Sequence, residues 1–276
     1  RPRRAPPKAE GVGAPAGPAD EPSGVDVVDE IFARLRKATL DERGATAPPP
    51  RRAPAAKATG AGAELFARRD AALDESLAAL TRRVKRVLQD DQNAVLERLR
   101  DVKGMITTEL EDEHDQRARY AEAARDALED AAAAGARFAF DEAGVSGPPA
   151  SRAQVADVAA DLAVTIVLAL RRRILTDGSG SAVERANTAY KEWRGARVER
   201  LCADAARRAF SLGVVAASRG HSVRFVVAPT DAPCDACALD ARSGERPAGE
   251  PFPSGSAYPP LHAGCACAVV PVPAAS

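Results

Sequence analysis

From Ala63 onwards, apolar residues recur at helical spacing. Leu73, Leu77, Leu80, Val84 and Val87 follow one another at intervals of four, three, four and three. After a shift of one residue the stripe resumes at Leu88 and runs through Val95, Leu99, Val102 and Ile106. This is close to a heptad seam with a stutter at 90–92. Gly104 is the first break. A second helix is expected over about residues 108–140, opening on Glu109, Glu111, Asp112, Glu113 and Asp115. Acidic residues suit a helix N-terminus, where the backbone dipole is positive. The apolar face of this second helix is mostly alanine, with Tyr120 and Leu128. Residues 63–145 therefore read as a long helical hairpin within one chain or as a coiled coil between chains. A heptad seam specifies how it packs and not whose helix fills it.

Residues 144–149 read as a turn. Ser151 and Gln154 then form a capping box for a third helix ending near Leu175. Val155, Val158, Leu162, Ile166, Val167 and Leu170 make much of its circumference apolar, so it is expected to be the most buried helix. Arg171, Arg172 and Arg173 sit at its C-terminal end, where positive charge complements the dipole. After a turn at 177–180, Ser181 and Glu184 cap another helix running to about Trp193. A kink is expected at Gly195, and the helix continues through Cys202 to about Ser218. Val223, Phe225 and Val227 alternate with Ser222, Arg224 and Val226, which predicts a short strand. Residues 268–272 are its natural partner.

Upstream, residues 1–62 are rich in Pro, Ala and Gly and read as a disordered arm that buries too little surface to fold. One short helix is expected inside it, at about 25–40, with Val28, Ile31, Phe32 and Leu35 on one face. It could dock on a partner or on its own chain. The fold class is thus mainly α: a helical hairpin or coiled coil (63–145), then a helical domain ending in a small β-hairpin (146–276), behind a disordered arm.

Composition narrows the function. The formal net charge is zero over 276 residues, so no basic excess indicates direct nucleic-acid or anionic-lipid binding. Aromatics are only 4%, which favours helices packed through small residues. The longest largely apolar run, 162–170, spans nine residues against the roughly 20 of a membrane span. A cytoplasmic protein, or one in a virion or prophage-derived particle, is expected.

The chemistry concentrates near the C-terminus. Four of the five cysteines and one of the three histidines lie between Cys234 and Cys267. The pattern is Cys234-x2-Cys237, a gap of 24 residues, then His262-x2-Cys265-x-Cys267. Paired cysteines at this spacing aim sulfurs at one point and commonly hold zinc in a tetrahedron of thiolate and imidazole. The intervening loop is rich in Gly and Pro and poor in large apolar side chains, so a metal would fix it directly. Five candidate ligands exist for one Zn2+ per chain: Cys234, Cys237, His262 and Cys265 as the set, with Cys267 a substitute or a thiol behind it. Disulfides, or a cluster of reduced thiols, are the alternatives. Cys202 lies on an apolar helix face and reads as a buried inert thiol.

These residues also carry a resemblance. A helix containing Tyr190, Glu192 and Trp193 precedes a second helix and a strand. Then come Cys234-x2-Cys237, Leu239-Asp240 and Gly244, Pro259-Pro260-x-His262 and Cys265-x-Cys267. The order resembles the C-terminal domain of phage Mu F-like head morphogenesis (minor head) proteins, over about residues 180–273. Ala266 stands where that family usually has Arg. The resemblance implies a non-enzymatic structural protein with a structural zinc, acting in capsid or portal-like assembly through protein partners or as a homo-oligomer. A bacterial coiled-coil scaffold carrying a zinc knob is a second reading, and a metal-dependent enzyme or toxin-associated module a third. For the third, Pro233-Cys234-x2-Cys237 matches half of a deaminase motif, but the matching His-x-Glu is missing.

Overall fold

A computed structural model describes residues 60–100, 110–176, 180–229 and 234–273. The arm up to residue 59, its short helix at 25–40 and the break at Gly104 lie outside the described residues. The described elements, in order, are α1 (Gly60–Leu99), α2 (Glu113–Ala143), α3 (Arg152–Thr176), α4 (Ala182–Trp193), α5 (Ala196–Ala217), β1 (Ser222–Val226), α6 (Asp235–Arg242), β2 (Glu245–Pro247) and β3 (Ala268–Pro271).

The stripe on α1 is filled from within the same chain. Leu73, Leu80, Val84, Leu88, Val95 and Leu99 are all buried, and α2, α4 and α5 pack against α1. Helices α1 and α2 run antiparallel, as their cross-links show. Arg68 pairs with Glu142 at 2.7 Å, Arg83 with Asp126 at 2.8 Å, and Arg119 with Asp91 at 2.8 Å. Among the described residues, α1 and α2 lie antiparallel against one another within the one chain. The helices on either side of residue 145 share one core, since α2 packs on both α3 and α5.

Alanine and glycine set the helix spacing. Ala124, Ala127, Ala131, Ala132 and Ala139 are buried along α2. Where α2 meets α5, a Cβ on Gly135 would collide with the Phe210 carbonyl, and one on Gly213 with the Ala132 carbonyl. The two glycines let the backbones approach to a distance that no larger residue permits. Phe138 and Phe210 pack at 5.3 Å beside this crossing.

Local signals place most helix ends. Asp112 caps α2, which starts about five residues later than expected, by accepting from the His114 and Asp115 amides. Gly144 ends it at φ 67. The Ser151–Gln154 box forms at the start of α3, and the Ser181–Glu184 box at the start of α4. The chain breaks at Arg194 and Gly195 before α5 resumes. By length and composition α3 is long and apolar enough to cross a membrane, and 44% of its most apolar 18-residue stretch is buried in the fold.

At the expected stutter the seam turns polar. Asp91 is 2% exposed, yet it accepts four hydrogen bonds. Donors are Gln116 Nε2 at 2.8 Å, an Arg119 guanidinium nitrogen at 2.8 Å, the Tyr120 hydroxyl at 3.0 Å and the Tyr190 hydroxyl at 2.7 Å. Burial and the Asp91 charge push both tyrosines well above the usual phenol range. Next to it, Gln92 donates to Asn187 at 3.0 Å and accepts from Arg194. One buried carboxylate thus ties α1, α2 and α4 together.

The sheet is a correction to the expected two-stranded hairpin. It has three antiparallel strands in the order β2-β1-β3. The expected pairing of β1 with β3 forms, with Arg224 opposite Val270 and Phe225 opposite Val269. The addition is β2, which pairs Arg246 with Val223 on the other edge. The sheet leans on α5 through β3, where all four residues are buried.

Because three helices depend on Asp91, Asp91→Ala is expected to cost about 3 to 5 kcal/mol by leaving its buried donors unpaired. Tyr190→Phe, which removes one donor, should cost about 1 to 2 kcal/mol. Urea unfolding of both variants checks this order, and equal losses would contradict it.

Candidate metal centre

The Cys-x2-Cys segment is the first turn of a helix rather than a free turn. Cys234 is the N-cap of α6, and its sulfur accepts from the Cys237 amide at 3.4 Å. That amide holds the Cys234 thiol below its ordinary pKa, favouring thiolate at a positive helix end. One turn on, Cys237 is buried, and burial pushes its thiol up to about 12.

The second pair arrives on the strand side. Cys265 and Cys267 are both buried where the chain enters β3. A hydrogen bond from Cys267 holds the Cys265 thiol down to about 5, and the same bond with burial drives Cys267 upward. His262 Nδ1 lies 3.0 Å from the Ala263 carbonyl. With the proton on Nδ1 donated there, Nε2 is left to ligate. That carbonyl also raises the imidazole above its ordinary pKa.

All five candidates named from the spacing come together. Cys234, Cys237 and His262 form one triad of ligand atoms within 4.8 Å, and Cys237, Cys265 and Cys267 form another. Cys237 belongs to both. Its sulfur is 3.5 Å from His262 Nε2 and 3.8 Å from the Cys265 sulfur. A tetrahedral zinc site with bonds of about 2.3 Å to sulfur and about 2.0 Å to nitrogen has ligand–ligand edges of about 3.8 and about 3.5 Å. Both contacts of Cys237 have the length of such an edge. They are also far longer than the roughly 2.05 Å of a disulfide, and all five cysteines are free thiols. The donor set therefore fits a metal ion.

No family model matches the chain, and neither a curated protein nor a solved structure matches it.

Three contacts that spacing does not reveal hold the site against the helices. Arg69, 4% exposed on α1, donates to the Ala266 carbonyl at 2.6 Å and to the Cys267 carbonyl at 3.3 Å. Its guanidinium lies 4.7 Å over the Phe66 ring and pairs with Asp70 at 2.6 Å. Burial lowers its pKa, but an arginine remains charged, so a cation stands beside the backbone of the Cys-x-Cys segment. From α5, Asp204 accepts the Gly264 amide at 2.9 Å, and burial raises its carboxyl pKa. Inside the loop, fully buried Asp240 accepts from the Ser254 amide at 2.8 Å and its hydroxyl at 2.6 Å. Phe252 packs on Phe225 at 5.7 Å. Phe252, packed on β1, and Asp240 with Ser254 thus anchor a loop that is otherwise poor in large apolar side chains.

Cys202, His221 and Arg171 lie outside this cluster. Cys202 has no exposure, and burial raises its thiol to about 12, as an inert core residue requires. His221 is exposed at the start of β1. Arg171 donates to the Glu111 carbonyl at 2.8 Å and to Gln116 at 3.1 Å, so its role is to join α3 to α2.

Arg69→Ala removes two hydrogen bonds that α1 makes to the Cys-x-Cys segment. It is expected to destabilise the fold by about 2 to 4 kcal/mol. The amides of residues 264–267 should lose hydrogen-exchange protection first, and uniform loss across all helices would contradict this.

Proposed function

We propose that the chain is a non-enzymatic structural protein whose C-terminal segment is clamped by one structural Zn2+. The ligands are Cys234, Cys237, His262 and Cys265, with Cys267 as a thiol directly behind Cys265. The observation that carries this reading is the pair of tetrahedral edges at Cys237, 3.5 Å to imidazole and 3.8 Å to thiol. Sulfur-rich ligation suits a closed structural site, whereas catalytic zinc keeps a coordination position open beside a general base. Cys237 and Cys265 are buried, while Cys234 and His262 lie on the solvent side. Asp204, the carboxylate facing the loop, is engaged by Gly264 and Arg207, which favours a supporting role for it.

The same Cys/His order supports a role in assembly, like that of the phage Mu F-like minor head proteins it resembles, in a capsid or portal-like particle. A coiled-coil scaffold is favoured less, because the seam on α1 is filled by helices of its own chain.

Purified reduced protein is expected to hold about one zinc per chain by elemental analysis, as a single tetrahedral site requires. Cys237→Ser and Cys265→Ser should lose it, while Cys267→Ser should keep it. Chelation should unfold residues 222–273 and leave the α1–α2 hairpin helical. Folding unchanged in a strong chelator under reducing conditions would overturn the structural-metal reading. For assembly, the protein should co-sediment with capsid or portal components from particle-producing cells, and recovery in filaments alone would favour the scaffold.

A further inference from the structure

With the heptad stripe of α1 used inside the chain, any self-association needs another surface. The outward side of α3 has the pattern for one. Asp157, Asp161, Val164, Leu168, Arg172 and Leu175 follow at intervals of four, three, four, four and three, so they lie along one stripe. Leu168 is 43% exposed and Leu175 38%, and they are two of the four large apolar residues exposed among those described. Between residues 157 and 168 the exposed positions are Asp157, Ala160, Asp161, Thr165 and Leu168, with Val164 half-buried.

Charge along the stripe says what covers it. The N-terminal half carries Asp157 and Asp161, the middle is apolar, and Arg172 lies toward the C-terminal end. Laid antiparallel on itself, such a helix is self-complementary. With the two-fold axis midway between Thr165 and Leu168, Asp161 meets Arg172 of the second copy and Leu168 meets Thr165, each pair occurring twice. An isologous pairing has this form. Beside the Asp161–Thr165 edge, a cavity of about 590 Å³ opens between α3, α5 and the 255–263 loop. It offers a recess for the large apolar side chain of an opposing helix.

We infer that the outward face of α3 binds the same face of a second copy of this chain, giving a two-fold homodimer. Contact of Leu168 with Val164 and Thr165 of the second copy supplies the affinity, and Leu175 lies at the end of the contact near Asp157. The two Asp161–Arg172 pairs are exposed and set the antiparallel direction rather than the affinity. Asp161 is 61% exposed despite its 2.6 Å pair with Arg208, so its carboxylate has room for a second donor. Lipid fits the face less well. Asp157, Asp161 and Arg172 would have to be buried in hydrocarbon, which charged side chains resist. Asp157, Val164, Leu168, Arg172 and Leu175 are not among the cysteine-cluster residues, although the cavity beside the face is also lined by Asp204 and His262.

Sedimentation equilibrium on the 276-residue chain between about 1 and 100 µM tests it. The expected mass is twice 28.8 kDa. Leu168→Glu should give the single-chain mass, with helical content and metal content unchanged because Leu168 lies at the surface. Asp161→Arg should also dissociate the pair, and adding Arg172→Asp should restore it. A dimer that survives Leu168→Glu would overturn the inference, since another surface would then hold it. A wild-type monomer throughout this range would overturn it too, and flotation of that monomer with phosphatidylcholine vesicles would make lipid the occupant instead.

Discussion

Two stretches of chain that cannot hold themselves meet at the sulfur of Cys237. From one side come Cys234 and α6, from the other His262, Cys265 and Cys267, and Cys237 contacts Cys265 across 28 residues. The loop between them holds few large apolar side chains, and bringing its ends together costs chain entropy. Phe252 and the Asp240–Ser254 bonds offset part of that cost. On the proposed reading a bound ion at the convergence of thiols and imidazole supplies the rest, because ligand binding energy in such sites is folding energy.

That convergence depends in turn on the helical body. Arg69 on α1 grips the backbone at Ala266 and Cys267, and Asp204 on α5 grips it at Gly264. The relative positions of α1 and α5 are therefore transmitted to the ligands. Those positions are fixed by two unusual features, the glycine crossing between α2 and α5 and the buried Asp91 with its four donors. Core packing through alanine leaves small contact areas per residue, so the polar centre at Asp91 specifies register where apolar shape alone discriminates weakly.

Much of this was legible in the sequence where the signal is local. The capping boxes at Ser151 and Ser181, the alternation at Val223 and Phe225, and the Cys/His spacing each require only a few neighbouring residues, and each has its expected place in the fold. The missed features all need distant partners. Asp91 looks like a charged stutter until Tyr190, 99 residues later, arrives beside it. Arg69 reads as a surface charge on a helix until Cys267, 198 residues away, meets it. The three-residue β2 strand has too few positions to show alternation. Helix α6 was hidden because its N-cap is a cysteine, a residue read for its metal chemistry before its capping.

The central claim is that one ion sits among these thiols and joins the C-terminal segment to the helices. X-ray absorption at the zinc edge, on the reduced full chain, addresses it most directly. The account predicts one ion bound by three sulfurs at about 2.3 Å and one nitrogen at about 2.0 Å. A shell of oxygen and nitrogen without sulfur, or a folded chain with no ion and Cys237 bridged to Cys265, would contradict it.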